Sequence, residues 1–250
     1  MYKKKILFLS VLLFNASAFA DVRDEIVKTF EVSEQAEFRL ENINGDVEVN
    51  GWDKNEIKVQ AILIADDQDD LARITVDIDE SSRGVSVETR YKKSSQWRDH
   101  NSGSVDYVIY LPKAAKLADI ELVNGSLTVE DVQGEAKFKL VNGSIAAQGL
   151  MNDSEISSVN GSIDVSYSAA SPQLNDIRID TVNGQVELNL PENIGADVDI
   201  ETMHGSIRND FGLSVDKGKF VGRNLHGTIG SGDVNISIES VNGGVRLLKR

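Results

Sequence analysis

The chain has 250 residues, with 40 acidic and 26 basic side chains, a formal charge of −14 and no cysteine. The missing cysteines exclude disulfides, thiolate metal sites and a lipid-modified cysteine. The acidic balance argues against bare nucleic acid as a partner, because neutralising phosphates takes a basic face.

Residues 1–20 read as a secretory signal peptide. Lys3, Lys4 and Lys5 form a basic start, Ile6 to Phe14 an apolar run, and Ala18-Phe19-Ala20 a small-residue cleavage site. The apolar run is too short to span about 30 Å of hydrocarbon, which takes about 20 residues. Cleavage before Asp21 leaves 23 basic against 40 acidic residues, a charge of −17. That charge reads first as solubility. No sorting motif or membrane anchor follows residue 20, so the expected location is the periplasm, with the cell surface as the other destination.

Residues 21–112 form the next region. Ile57 to Ile64, Ile74 to Ile78, Val85 to Tyr91 and Val105 to Leu111 have strand character, and Asp66 to Asp70 and Lys92 to Gly103 read as polar loops. The expectation is an N-terminal β cap, since an array of repeats needs its end coil covered.

A short pattern recurs eight times: an apolar residue, Asn or His, Gly, any residue, then Leu, Ile or Val. Its turn residues are Asn44-Gly45, Asn124-Gly125, Asn142-Gly143, Asn160-Gly161, Asn183-Gly184, His204-Gly205, His226-Gly227 and Asn242-Gly243. From Gly125 onward the glycines follow one another at intervals of 18, 18, 23, 21, 22 and 16 residues, which marks a repeat with loops of variable length. Period-two alternation flanks each copy, as in Ile120 and Leu122 before the turn and Leu127 and Val129 after it. Four residues before the Asn or His stands an apolar side chain in seven copies; Gly222 is the exception.

Two architectures satisfy this pattern. In stacked β-hairpins or a β-sandwich, each Asn-Gly joins antiparallel neighbours. In a parallel β-solenoid, it turns a corner within one coil, and coils pair about 4.8 Å apart with equal residues in register. A repeat of about 20 residues matches one coil, and stacked Asn side chains bond along such a ladder. The reading is therefore all-β, with a β-solenoid over residues 113–250. The last strand, Val245 to Arg250, carries basic residues that look like protection of an unpaired edge, or a surface for oligomer formation.

Few residues point to chemistry. His204 and His226 are separated by one repeat, which could set them one coil apart on one edge within reach of a shared metal; histidine's tolerance of positive φ at an Asn position explains them equally. Trp97 and Arg98 sit in a basic stretch of an acidic chain, a composition typical of partner contacts, against the alternative of a Trp folded onto the cap. Asp66 to Asp70 lacks the glycine and bidentate Glu of an EF-hand loop. No short enzymatic signature is present, and no cofactor is expected.

Several features together resemble a bacterial family of candidate adhesins with β-strand repeats, a domain of unknown function. They are the signal peptide, Asn44-Gly45-Asp46-Val47-Glu48-Val49 with Gly51-Trp52-Asp53, Val108-Ile109-Tyr110-Leu111-Pro112, and the Asn-Gly repeats. The resemblance spans the mature chain and implies an exported protein of β-solenoid character, with no site residues to carry over. The expected role is a non-enzymatic cell-envelope protein whose rigid repeat surface contacts another envelope protein or a glycan. The alternative is a polysaccharide-active enzyme of β-helical form.

Overall fold

The computed structural model describes residues 21–92, 103–168, 171–217 and 222–250. In chain order its strands are β1 (Val22–Glu31), β2 (Glu37–Asn44), β3 (Val47–Trp52), β4 (Glu56–Ala65), β5 (Ile74–Ser81), β6 (Gly84–Tyr91), β7 (Ser104–Pro112), β8 (Lys116–Asn124), β9 (Leu127–Glu130), β10 (Ala136–Asn142), β11 (Ile145–Leu150), β12 (Ser154–Asn160), β13 (Ile163–Tyr167) and β14 (Asp176–Asn183). There follow β15 (Val186–Leu190), β16 (Ala196–His204), β17 (Ile207–Asn209), β18 (Val215–Lys217), β19 (Arg223–Ile229), β20 (Val234–Asn242) and β21 (Val245–Lys249). A single helical turn, α1 (Gln68–Leu71), lies between β4 and β5.

The strands form two sheets that share one core. Sheet A runs β1-β4-β7-β3-β9-β11-β13-β15-β21-β17, and sheet B runs β18-β19-β16-β20-β14-β12-β10-β8-β2-β6-β5. Each coil is one sheet B strand, an Asn-Gly corner and one sheet A strand. Neighbouring coils pair in parallel, as in β8, β10 and β12, with Asn124, Asn142 and Asn160 in register. This is the solenoid arrangement; the Asn-Gly turns change sheets and close no hairpin.

Period-two alternation places one side of every coil strand in the core. Leu40, Ile120, Phe138, Ile156, Ile179, Ile238 and Ile200, the residues four before each corner, are fully buried and form one stacked row. Each contributes about 1.5–3 kcal/mol by leaving water.

The corners hold together through the side chain and the backbone at once. Asn124 Nδ2 donates to Asn44 Oδ1, and Asn142, Asn160, Asn183 and Asn242 each donate likewise to the Asn of the neighbouring coil, every bond 2.9 Å long. Asn44 Nδ2 ends the series on the Gly103 carbonyl at 3.3 Å. One residue on, the coils approach so closely that a Cβ at Gly143 would lie 1.9 Å from the Gly125 carbonyl oxygen. Gly143 also has φ +147°, a region that side chains disfavour. The Gly of this pair is thus required by contact and conformation together.

Two expectations change. His226-Gly227 is not a corner: it lies within the straight strand β19, which runs antiparallel to β16. Gly222, the copy without its buried apolar residue, marks this exception, because β19 enters from an edge and does not complete a coil. The coils also do not stack in chain order. The final coil, β20–β21, is wedged between β14–β15 and β16–β17. The terminal strand is therefore paired on both sides, and the reading of Val245 to Arg250 as an open edge is corrected.

Antiparallel strands close both ends. Next to the β2–β3 coil lie β6 and β7, which pair in parallel with it. Beyond them β4 and β1 continue sheet A, and β5 continues sheet B, all antiparallel. At the other end β19 and β18 extend sheet B in the same manner. The stretch expected as a cap thus supplies both the first Asn-Gly coil and the antiparallel strands outside it.

Candidate binding face

Since the residue four before each Asn points into the core, alternation turns the residue directly before the Asn outward. Sheet B consequently displays a second stacked row on its outer face: Ile43, Val123, Val141, Val159, Val182, Val241 and Met203. Ile43 is half-buried; the other six are among the exposed large hydrophobic residues, from Val241 at 36% to Met203 at 55%. The pattern contained the signal for this row, the parity of each position relative to its buried neighbour. Singly exposed valines are ordinary, but a contiguous apolar row on a sheet face is not.

Three residues before each corner runs a parallel row of charge. Pairing places Glu88, Glu41, Glu121, Lys139, Ser157, Asp180, Glu239 and Glu201 in consecutive register. Carboxylates outnumber the one ammonium within this row. Lys139 bridges Glu121 at 2.5 Å and Asp119 at 3.3 Å, Arg178 bridges Asp180 at 3.1 Å, and Arg90 bridges Glu88 at 2.6 Å. The Arg90 guanidinium, through its hydrogen bond, holds the Glu88 carboxyl below its usual range. The Arg178 guanidinium is committed to Asp180 and feels Glu239 only at longer range. Exposed Glu41, Glu239 and Glu201 make no salt bridge among the described residues. Like charges on adjacent strands are unfavourable, so this row costs the fold stability.

The two rows line contiguous depressions of about 820 and 430 Å³ that share Leu140, Ser157 and Val159. Gly222, Arg223 and Asn224 of β19 and its approach wall one end. Just inside this face, Ser158, Thr181 and Ser240 are buried in register, and their hydroxyls have no hydrogen-bond partner. Thr202, next in the row, donates to the Gly243 carbonyl at 3.0 Å.

The residues singled out from sequence fall elsewhere. His204 occupies the last corner, stacked on Asn242. His226 faces Asp199, which separates it from His204 by roughly 17 Å along β16. The two histidines do not share a coil edge as expected, because β19 runs in the opposite direction. Among the described residues no group of three or more His, Asp or Glu is placed to hold a metal ion. Asp66 to Asp70 leads into α1: Asp67 Oδ1 accepts from the Asp70 amide at 2.8 Å, and Arg73 pairs with Asp70 at 2.9 Å. Trp97 and Arg98 lie outside the described residues.

Sheet A carries a smaller aromatic feature. Trp52 and Tyr110 stack with centroids 5.3 Å apart, and Lys54 and Lys58 lie over the two rings at 4.7 and 5.6 Å. Among the described residues no helix is long and apolar enough to cross a membrane.

The family model described as Toastrack DUF4097 matches residues 31–248. Among solved structures, a candidate cell adhesion protein from Clostridium sporogenes superposes with a TM-score of 0.51 at 15% identity, covering 92% of this chain and 100% of that one. A candidate adhesin from Bacteroides fragilis superposes with a TM-score of 0.40 at 12% identity, covering 91% of this chain and 97% of that one. At such identities the likeness is one of fold. No curated protein matches the chain.

Proposed function

We propose that this chain, which belongs to the Toastrack DUF4097 family, is an exported, non-enzymatic cell-envelope protein that binds a partner on the outer face of sheet B. The observation that carries the reading is the apolar row beside carboxylates that outnumber their counter-charges, kept at the expense of stability. Catalysis can compensate for such a cost, but so can binding, and tight Asn-Gly corners leave little chain for the loop walls that a polysaccharide-active enzyme of β-helical form would need. Export, with the periplasm as destination, rests on the signal-like residues 1–20.

The test is site-specific photo-crosslinking in the native envelope. A crosslinker in place of Val159 is expected to capture one abundant species, whereas one in place of Thr128, on the outer face of sheet A, is not. Equal labelling from both positions, or none from Val159, would remove the face from consideration. A glycan partner would favour the Trp52–Tyr110 stack, and a crosslinker beside it at Asn50 separates that outcome.

A further inference from the structure

The dimensions and charge of the sheet B face specify what it can hold. The apolar row crosses the coils from Ile43 to Met203 in steps of about 4.8 Å, a length of roughly 29 Å. From the Asn corner to the carboxylate row is three residues of strand, roughly 10 Å. An α-helix has a diameter of about 10–12 Å, and its side-chain rows repeat about every 5.4 Å, near the coil spacing. An extended strand presents same-face side chains about every 6.8 Å and falls out of step with the row within two coils. Charge restricts the occupant further. Glu41, Glu239 and Glu201 stand outside any salt bridge along one side of the row among the described residues, and a second copy of this acidic chain would bring the same carboxylates against them.

We infer that the face binds a basic amphipathic helix of about 19 residues, lying along the apolar row with its cationic side chains on the carboxylate row. The inference rests on the binding-face reading and names the chemistry of its occupant. Ridges of the helix interleave with the Val row, and Lys or Arg side chains on one flank reach Glu239 and Glu201. The wall at Gly222–Asn224 limits how far the helix extends at that end.

The experiment titrates the purified mature protein with three labelled synthetic peptides of that length, followed by fluorescence anisotropy and circular dichroism. The first has Leu on one helical face and Lys on both flanks; the second replaces every Lys by Glu; the third has the first peptide's composition in strict Leu-Lys alternation. The first is expected to bind and gain helicity, the other two to bind at least tenfold more weakly. The double variant E201Q/E239Q should weaken the first peptide by roughly fivefold or more, as the loss of two exposed ion pairs predicts. Its melting temperature should be unchanged or higher, which excludes misfolding as the cause. Preference for the alternating peptide, unaltered affinity in the double variant, or concentration-dependent self-association abolished by V182D would each overturn the inference. If crosslinking from Val159 still captures a partner while the peptides fail, the helix is wrong and the face is right; if both fail, the binding-face reading falls as well.

Discussion

Gly143 and Thr181 show how single residues are constrained in opposite senses near the corner. A methyl group at Gly143 would sit 1.9 Å from the Gly125 carbonyl oxygen, which belongs to the neighbouring coil and cannot move without shifting the whole ladder. Gly143→Ala is expected to cost more than about 3 kcal/mol in chemical denaturation, among the large single-residue effects; a cost below about 1 kcal/mol would mean the corner is more compliant than its geometry. Thr181 presents the reverse case. Its hydroxyl is buried without a partner, so the shape-matched Thr181→Val removes a desolvated polar group and no hydrogen bond. It should stabilise the protein by about 1 kcal/mol, and a loss of similar size would reveal a water bound beneath the face. The glycine was legible in the sequence because it recurs after the corner Asn, with positive φ at Gly45, Gly125, Gly143, Gly161 and Gly184. The orphaned hydroxyls were not, since Ser or Thr at an inward position looks like any polar variation until its surroundings are known.

At the scale of elements, the interleaved coil β20–β21 has the largest consequences. It pairs with β14–β15 on one side and β16–β17 on the other, so among the described residues β20 is the only strand that pairs β16, with β19 and β18 beyond it, to the rest of sheet B. Deleting residues 234–250 is therefore expected to release β16–β19 along with the deleted coil, and limited proteolysis should cleave near residue 195. An end coil removed from a sequential stack would have no such effect. Persistent protection of residues 196–209 in the truncated chain would show instead that β16 can pair directly with β14. The strands themselves were readable from alternation. Their order was not, because each coil offers the same in-register partner, with Asn over Asn and one apolar residue over another, and so local pattern is equally content with several permutations.

For the whole molecule, interleaving at one end and shared pairing at the other leave no seam. The β2 strand joins the antiparallel end strands through β6 and the repeat array through β8. A single buried cluster runs from Ala36 to Leu247. Amide hydrogen exchange is accordingly expected to give the same opening free energy for β3, near one end, and β20, near the other, within about 0.5 kcal/mol. Two well-separated values would place a boundary between folding units, most naturally near residue 112. The binding face follows from the same continuity: its rows take Ile43, Glu41 and Glu88 from the first 112 residues and their other members from the coils that follow.

The sequence by itself determined the coil, because the features that make one are local. Alternation selects the buried side, Asn-Gly supplies a corner with positive φ, and repetition at one coil length sets equal residues on top of one another. Parity even implied the outward Val row. Tertiary structure alone decided which coil lies beside which. Glu239 lies between Asp180 and Glu201 because the last coil is inserted between two earlier ones. The same insertion hides the terminal strand, while the reversed direction of β19 leaves His226 beside Asp199, away from His204. Hydrogen-bond ladders between nearly identical repeats are blind to sequence order, so the final arrangement is selected by the core and the end strands acting together.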